Sequence, residues 1–405
     1  MPEEIDTVVV GAGQAGLSAS YYLTAHGREH LVLERGAVAD TWTTKRWDGF
    51  YLNTPNWAQQ LPGHEYRGPD PDSFAPRDEV VTYLEEYARS IPAPVRTGVR
   101  VTALWHEENG YRVETEGERL RAANVIVATG AYDRPAPAAL AAAVPPDVLQ
   151  IHTSDYRNPD ELAPGAVLIV GSGQSGCQIA DELNQAGRRT YLAVGRCAWL
   201  PRRYRGREFM RWGIALGLMD ETVDTLPSPE ARFACNPPIS GNDGGHDCHP
   251  RWLARRGTVL VGRLVGFRDG TAQIAPGLEE TLAWSDEFVA AFKRQVDDYV
   301  RESGLDVHDA VPEEEPVALR QNSELNLRAA GIGTILWANG YRADLAWIHP
   351  PVHDRQGWPV QRRGVTDLPG LYFVGVHWLH KRKSALFLGV GEDAEYVVSH
   401  LVSRR

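Results

Sequence analysis

The chain has 405 residues, 43% of them hydrophobic and 9% aromatic, enough for two or three domains with sizeable cores. A formal net charge of -11 argues against nucleic acid or an anionic membrane as the main partner, because both need a basic surface, although local basic clusters are compatible with it. The cysteines Cys177, Cys197, Cys235 and Cys248 form no CxxC, which fits a reducing cytoplasm and removes the redox dithiol of a disulfide reductase.

The acidic start Met1-Pro2-Glu3-Glu4-Ile5-Asp6 runs directly into an apolar strand at Thr7–Val10, with no targeting segment expected ahead of it. GAGQAG at Gly11–Gly16 follows and opens a helical pattern. Small residues at Gly11, Gly13, Ala15 and Gly16, with Gln14 among them, allow a tight turn, a close approach to a pyrophosphate, and helix–strand packing. The next strand, His30–Glu34, ends in a carboxylate that can accept hydrogen bonds from ribose hydroxyls, so an unphosphorylated adenosine is expected there, beside Arg35. Asp40–Tyr66 is rich in Trp, Asn, Pro and Gly and reads as a structured loop, and Asp78–Ser90 as an amphipathic helix. Val99–Leu104 and Tyr111–Glu116 alternate as half-buried strands, Asn124–Gly130 (NVIVATG) is a buried strand, and the Ala/Pro segment Arg134–Pro146 is a connector.

Val167–Val170 begins a second nucleotide unit with GSGQSG at Gly171–Gly176, in which Gly171, Gly173, Gln174, Ser175 and Gly176 repeat the first turn. Its second strand, Thr190–Val194, ends in Gly195-Arg196, a cation suited to a ribose 2′-phosphate, with Arg202 a second candidate. This points to NADPH. Ala198–Pro250 is irregular decoration, and Cys235, His246, Cys248 and His249 within it are too cramped for a zinc site. Val259–Phe267 with Thr271–Ile274 suggests a hairpin, Ser285–Ser303 a helix, and Glu313–Glu315 an acidic surface run. Thr334–Gly340 (TILWANG) echoes NVIVATG, Gly370–Gly375 is another buried strand, and Glu392–Val402 is the last helix. The basic cluster from His377 to Lys383 reads either as a surface loop or as the approach to helix amides that face a flavin. The fold expected is α/β, with two Rossmann-like dinucleotide-binding domains. The first occupies 1–165, the NADPH domain is inserted at 166–319, and the first resumes over 320–405.

RWDGFYLNTPNWAQQLPG at Arg46–Gly63, GSGQSGCQIADEL at Gly171–Leu183, RCAWLPR at Arg196–Arg202 and the paired NVIVATG and ILWANGY strands together resemble a bacterial branch of the flavin-containing monooxygenase-like flavoproteins, nearly end to end. The resemblance implies FAD at the first site, held by Glu34, with Trp42 and Arg46 along its flavin side and Val101, Thr129, Gly130 and Gly375 around it. Asn339 and Gly340 stand at the second ATG-type strand. Asn53 is in register with a flavin-facing asparagine, a neutral donor in a site that must exclude water, and its other reading is an Asx turn ahead of Pro55. His152 and Tyr156 keep only the second half of the family's FxGxxxHxxxY signature, since Pro146 and Val148 replace its Phe and Gly. His152 is expected to orient backbone. The activity implied is FAD- and NADPH-dependent monooxygenation of a small molecule with O2, by N- or S-oxygenation through a flavin C4a-hydroperoxide. Baeyer–Villiger oxygenation and plain NADPH oxidation are the rivals, and the resemblance suggests a homodimer, which the cysteine pattern would place in the cytoplasm.

Overall fold

Two separate sheets each place a glycine turn at the carboxyl end of a buried strand. The computed structural model describes residues 3–136, 138–311, 317, 319 and 322–404, so Met1-Pro2 and the Glu313–Glu315 run lie outside the described residues. In the 7-stranded sheet, Glu3–Val10 lies parallel between His30–Leu33 and Arg119–Val127, with Thr7 opposite His30 and Asn124. Val8 and Val9 are fully buried, as expected of a strand covered on both faces. Arg119–Val127 takes antiparallel Gly110–Thr115 along its first half and parallel Leu371–Phe373 along its second. The helix Gln14–Ala25 packs through Leu17 and Leu23 on Val397, Val398 and Leu401 of the last helix, Val390–Ser403.

The 5-stranded sheet runs Leu149–His152, Ile332–Trp337, Ala166–Val170, Thr190–Ala193 and Val259–Val261, all parallel. Three expectations change here. Ile332–Trp337, expected in the resumed first domain, is hydrogen-bonded between two strands of the second sheet, so the chain returns to the first domain only after it. Val259–Val261 is the parallel edge of the same sheet, and the hairpin is confined to Leu264–Arg268 and Thr271–Ile274. A short apolar run has no period that separates a parallel strand from half of a hairpin. The long helix also starts earlier, at Leu278, where Gly277 adopts φ +93° and Glu279 and Glu280 complement the amino-terminal dipole.

Candidate active site

The two turns are built alike. Gly11 and Gly171 have φ of +107° and +112°, and a Cβ on either would meet a carbonyl oxygen, of Ala128 at 2.8 Å and of Ala338 at 2.5 Å respectively. Those carbonyls belong to the NVIVATG and TILWANG strands, which explains the echo between them. Gly16 and Gly176 stand where a Cβ would collide with the carbonyl oxygens of Gly11 and Gly171, so they serve helix–strand packing. Neither helix has a side-chain cap at Gly13 or Gly173, and their first amides are left for a phosphate.

A cavity of about 740 Å³ lies between the turns. Its first wall carries Gly11, Gly13, Gln14, Ala15, Glu34 and Arg35, then Val101, Thr129, Gly130 and Gly375. Nothing stands within 4 Å of a Cβ on Gly13, a space of the kind a pyrophosphate needs. Glu34 is nearly buried, and its carboxylate accepts from the amides of Ala12 (2.8 Å) and Gly36 (3.0 Å), which aims its remaining lone pairs at the cavity. Arg35 is committed to Asp133 at 2.7 Å. Trp42 donates Nε1–H to Gln14 (3.3 Å) and stacks on Phe387. Arg46 lies 5.4 Å from the Trp42 ring centre and 5.7 Å from that of Phe50, and makes no ion pair among the described residues. Burial lowers its pKa. These residues fit FAD.

The second wall carries Gly173, Gln174, Ser175, Arg196, Asn339 and Gly340. Arg196 is exposed, 4.2 Å above the ring of Trp284, free to present its edge to a phosphate. Gln178 is buried and its Oε1 has no partner among the described residues, an acceptor for a ligand donor. Arg202 is a correction. It is 1% exposed, stacked on Phe74, paired with Glu208 at 2.8 Å and donating to the Asn53 carbonyl at 2.7 Å, so it cannot reach a phosphate. Its role is to hold the Asn53 loop. The side chain of Asn53 lies at the cavity wall, where its Oδ1 accepts from Gln178 at 2.7 Å and its Nδ2 has no acceptor among the described residues. A residue of the second fingerprint helix thus orients a residue of the first domain's loop.

Residue spacing did not reveal Gln178, nor Tyr132 and Tyr341, which also line the cavity, as does His377 at the start of the basic cluster. Burial and Arg382 depress the His377 pKa to about 4, so it is neutral near pH 7. His152 orients backbone, donating Nε2–H to the Gly340 carbonyl (3.2 Å) while Nδ1 accepts from the Ser154 amide (3.1 Å). The basic cluster is neutralised, Lys381 and Lys383 on Asp220 and Glu392 and Arg382 on Glu221, and the cavity wall reaches Ala385–Phe387 without the last helix's first turn. The cysteine expectation also changes, because Cys197 and Cys235 form a disulfide with a Cα–Cα distance of 5.9 Å. The other members of the rejected zinc set are engaged apart, His246 on Asp181 and His249 on Trp199.

Residues 8–207 match the pyridine nucleotide-disulphide oxidoreductase family. The chain is 31% identical to an uncharacterized CzcO-like oxidoreductase of Geobacillus kaustophilus over the whole of both chains. It is also 31% identical to the indole-3-pyruvate monooxygenase YUCCA1 of Oryza sativa subsp. japonica, over 73% of this chain and 76% of that one. Its fold matches the flavin-containing monooxygenase of Stenotrophomonas maltophilia with a TM-score of 0.67 at 20% identity, covering 99% of each chain. No helix among the described residues is long and apolar enough to cross a membrane. With two intact nucleotide cradles facing one cavity, the chain belongs to the flavin-monooxygenase-like family that includes the CzcO-like oxidoreductases, and it is an FAD- and NADP-dependent oxidoreductase.

Proposed function

We propose that the enzyme transfers one oxygen atom from O2 to a nucleophilic nitrogen or sulfur of a small organic substrate, at the expense of NADPH. The bound flavin supplies hydride acceptance and oxygen activation. The observation that carries the reading is the fixed amide of Asn53, with Oδ1 held by Gln178 and its backbone carbonyl by Arg202, in a cavity that neutral His377 also lines. A preorganised neutral donor in a sheltered site stabilises an oxyanion without protonating it early. A nitrogen or sulfur nucleophile needs no dedicated base.

A second reading is favoured by Arg46, whose guanidinium faces the cavity over Trp42 and Phe50 with no carboxylate partner among the described residues. It suits an anionic substrate, and the rice relative's name specifies an aromatic 2-oxo acid. Heavy-oxygen O2 and NADPH supplied with amines, thioethers, ketones and 2-oxo acids decide the matter by mass spectrometry. One labelled atom in an amine or thioether product supports the first reading. Label only in products of ketones or oxo acids, with Arg46→Gln raising KM for the acids alone, replaces it by the second. NADPH consumption matched wholly by peroxide across the panel overturns both.

A further inference from the structure

The segment from Thr222 to Asn236 runs from the loop at His380 and Lys381 to the second glycine turn, and its last five residues line the cavity. It is anchored at one end by the Val223 amide on the His380 carbonyl (2.7 Å) and a bridge from Thr222 to Lys381. Midway, Arg232 pairs with Asp354 and donates to Gln356, whose Nε2 donates to Glu230 at 3.0 Å, while Phe233 packs edge-on to Trp358. At the far end Cys235 is joined to Cys197, the neighbour of Arg196. Arg232 to Asn236 form part of the cavity wall. The Cβ of Cys235 stands 3.6 Å from where a Cβ on Gly173 would lie, which is the space that Gly13 leaves open in the other turn.

We propose that the Cys197–Cys235 disulfide is a thiol-exchange site that latches this strap over the second cradle, and that its reduction admits NADP(H); the inference rests on the assignment of that cradle to NADP(H). Cys235 is exposed and Cys197 buried, so an incoming low-molecular-weight thiolate attacks Cys235 Sγ. That attack forms a mixed disulfide and expels Cys197 as a thiolate. A second thiol then attacks the mixed disulfide, releasing Cys235 as a thiol and leaving the reagent as its own disulfide. Two thiols are oxidised for one protein disulfide reduced. The other ties are a partly exposed ion pair, a few hydrogen bonds and one edge-on aromatic contact, each weak alone, so the covalent latch controls the strap.

The test uses the full chain loaded with FAD, oxidised with diamide or reduced with dithiothreitol. Alkylation of denatured protein, read by mass, is expected to label two cysteines (Cys177 and Cys248) after oxidation and all four after reduction. NADP+ binding, followed by tryptophan fluorescence, is expected to be about tenfold or more weaker in the oxidised protein, as for a site accessible in only a minor population. Cys197→Ser and Cys235→Ser are expected to bind tightly whatever the reagent. Four labelled cysteines after diamide, equal or tighter binding by the oxidised protein, or a reductant effect that survives Cys235→Ser overturns the latch. Failure of the reduced protein to bind NADP+ at all overturns the assignment of the cradle itself.

Discussion

The same turn is made twice in this chain, and its two copies differ only where a ligand would touch them. Gly11 and Gly171 share a left-handed backbone and the same carbonyl neighbour, and Gly16 and Gly176 share the same packing against the turn. At the middle glycine the copies part. Gly13 faces open space and a carboxylate at Glu34, whereas Gly173 faces Cys235 and a cation at Arg196. The backbone requirements of the turn therefore come from geometry internal to the strand and helix, while the two copies differ in what surrounds the middle glycine.

The comparison breaks most sharply at Gly13. Gly13→Val puts a side chain into empty space, so the protein is expected to fold normally yet lose essentially all its flavin, read from the absorbance of purified protein. Gly16→Val, which meets backbone, is expected to yield little folded protein. Full flavin content in Gly13→Val removes the first cradle from the FAD site.

Asn53 joins the two halves, since a second-domain glutamine sets its amide. Asn53→Ala is expected to retain FAD and its reduction by NADPH, while the yield of oxygenated product per NADPH falls at least about tenfold and peroxide rises, as for loss of a preorganised donor. Unchanged coupling would make Asn53 a turn residue. Gln178→Ala should reproduce part of the same loss.

Arg196 sharpens the contrast in ribose chemistry. Arg196→Ala is expected to weaken NADPH binding by about one to two decades and leave NADH nearly unaffected, the size of a charge-assisted contact. Equal losses for both nucleotides would signal general damage to the domain instead.

The smallest effect lies beneath the second turn. Glu182 occupies the position on its helix that Tyr22 holds on the first. It accepts from the Tyr156 hydroxyl at 2.7 Å, and burial raises its pKa from 4.5 to about 7. The folded protein thus holds a proton that the unfolded chain releases, so this contribution to stability is present below pH 4.5 and is lost as pH rises through about 7. The Tm difference between wild type and Glu182→Gln should shift by a few degrees across that window, in favour of the variant at higher pH. A pH-independent difference would place the carboxyl's titration elsewhere.

Both glycine turns, the acid and the arginine that follow their second strands, and the loop bearing Asn53 were legible from local pattern alone. Spaced glycines after an apolar run, an acid or an arginine ending the next strand, and a Trp- and Pro-rich loop each carry their physics within a few residues. Sheet membership of Ile332–Trp337, burial of Arg202, the hold of Gln178 on Asn53 and the Cys197–Cys235 pair were decided only by the tertiary structure. Each depends on segments far apart in the chain arriving at one place. An arginine's spacing states its charge but not whether Phe74 and Glu208 will enclose it, and a cysteine's spacing says nothing of a segment that folds back to line a cavity.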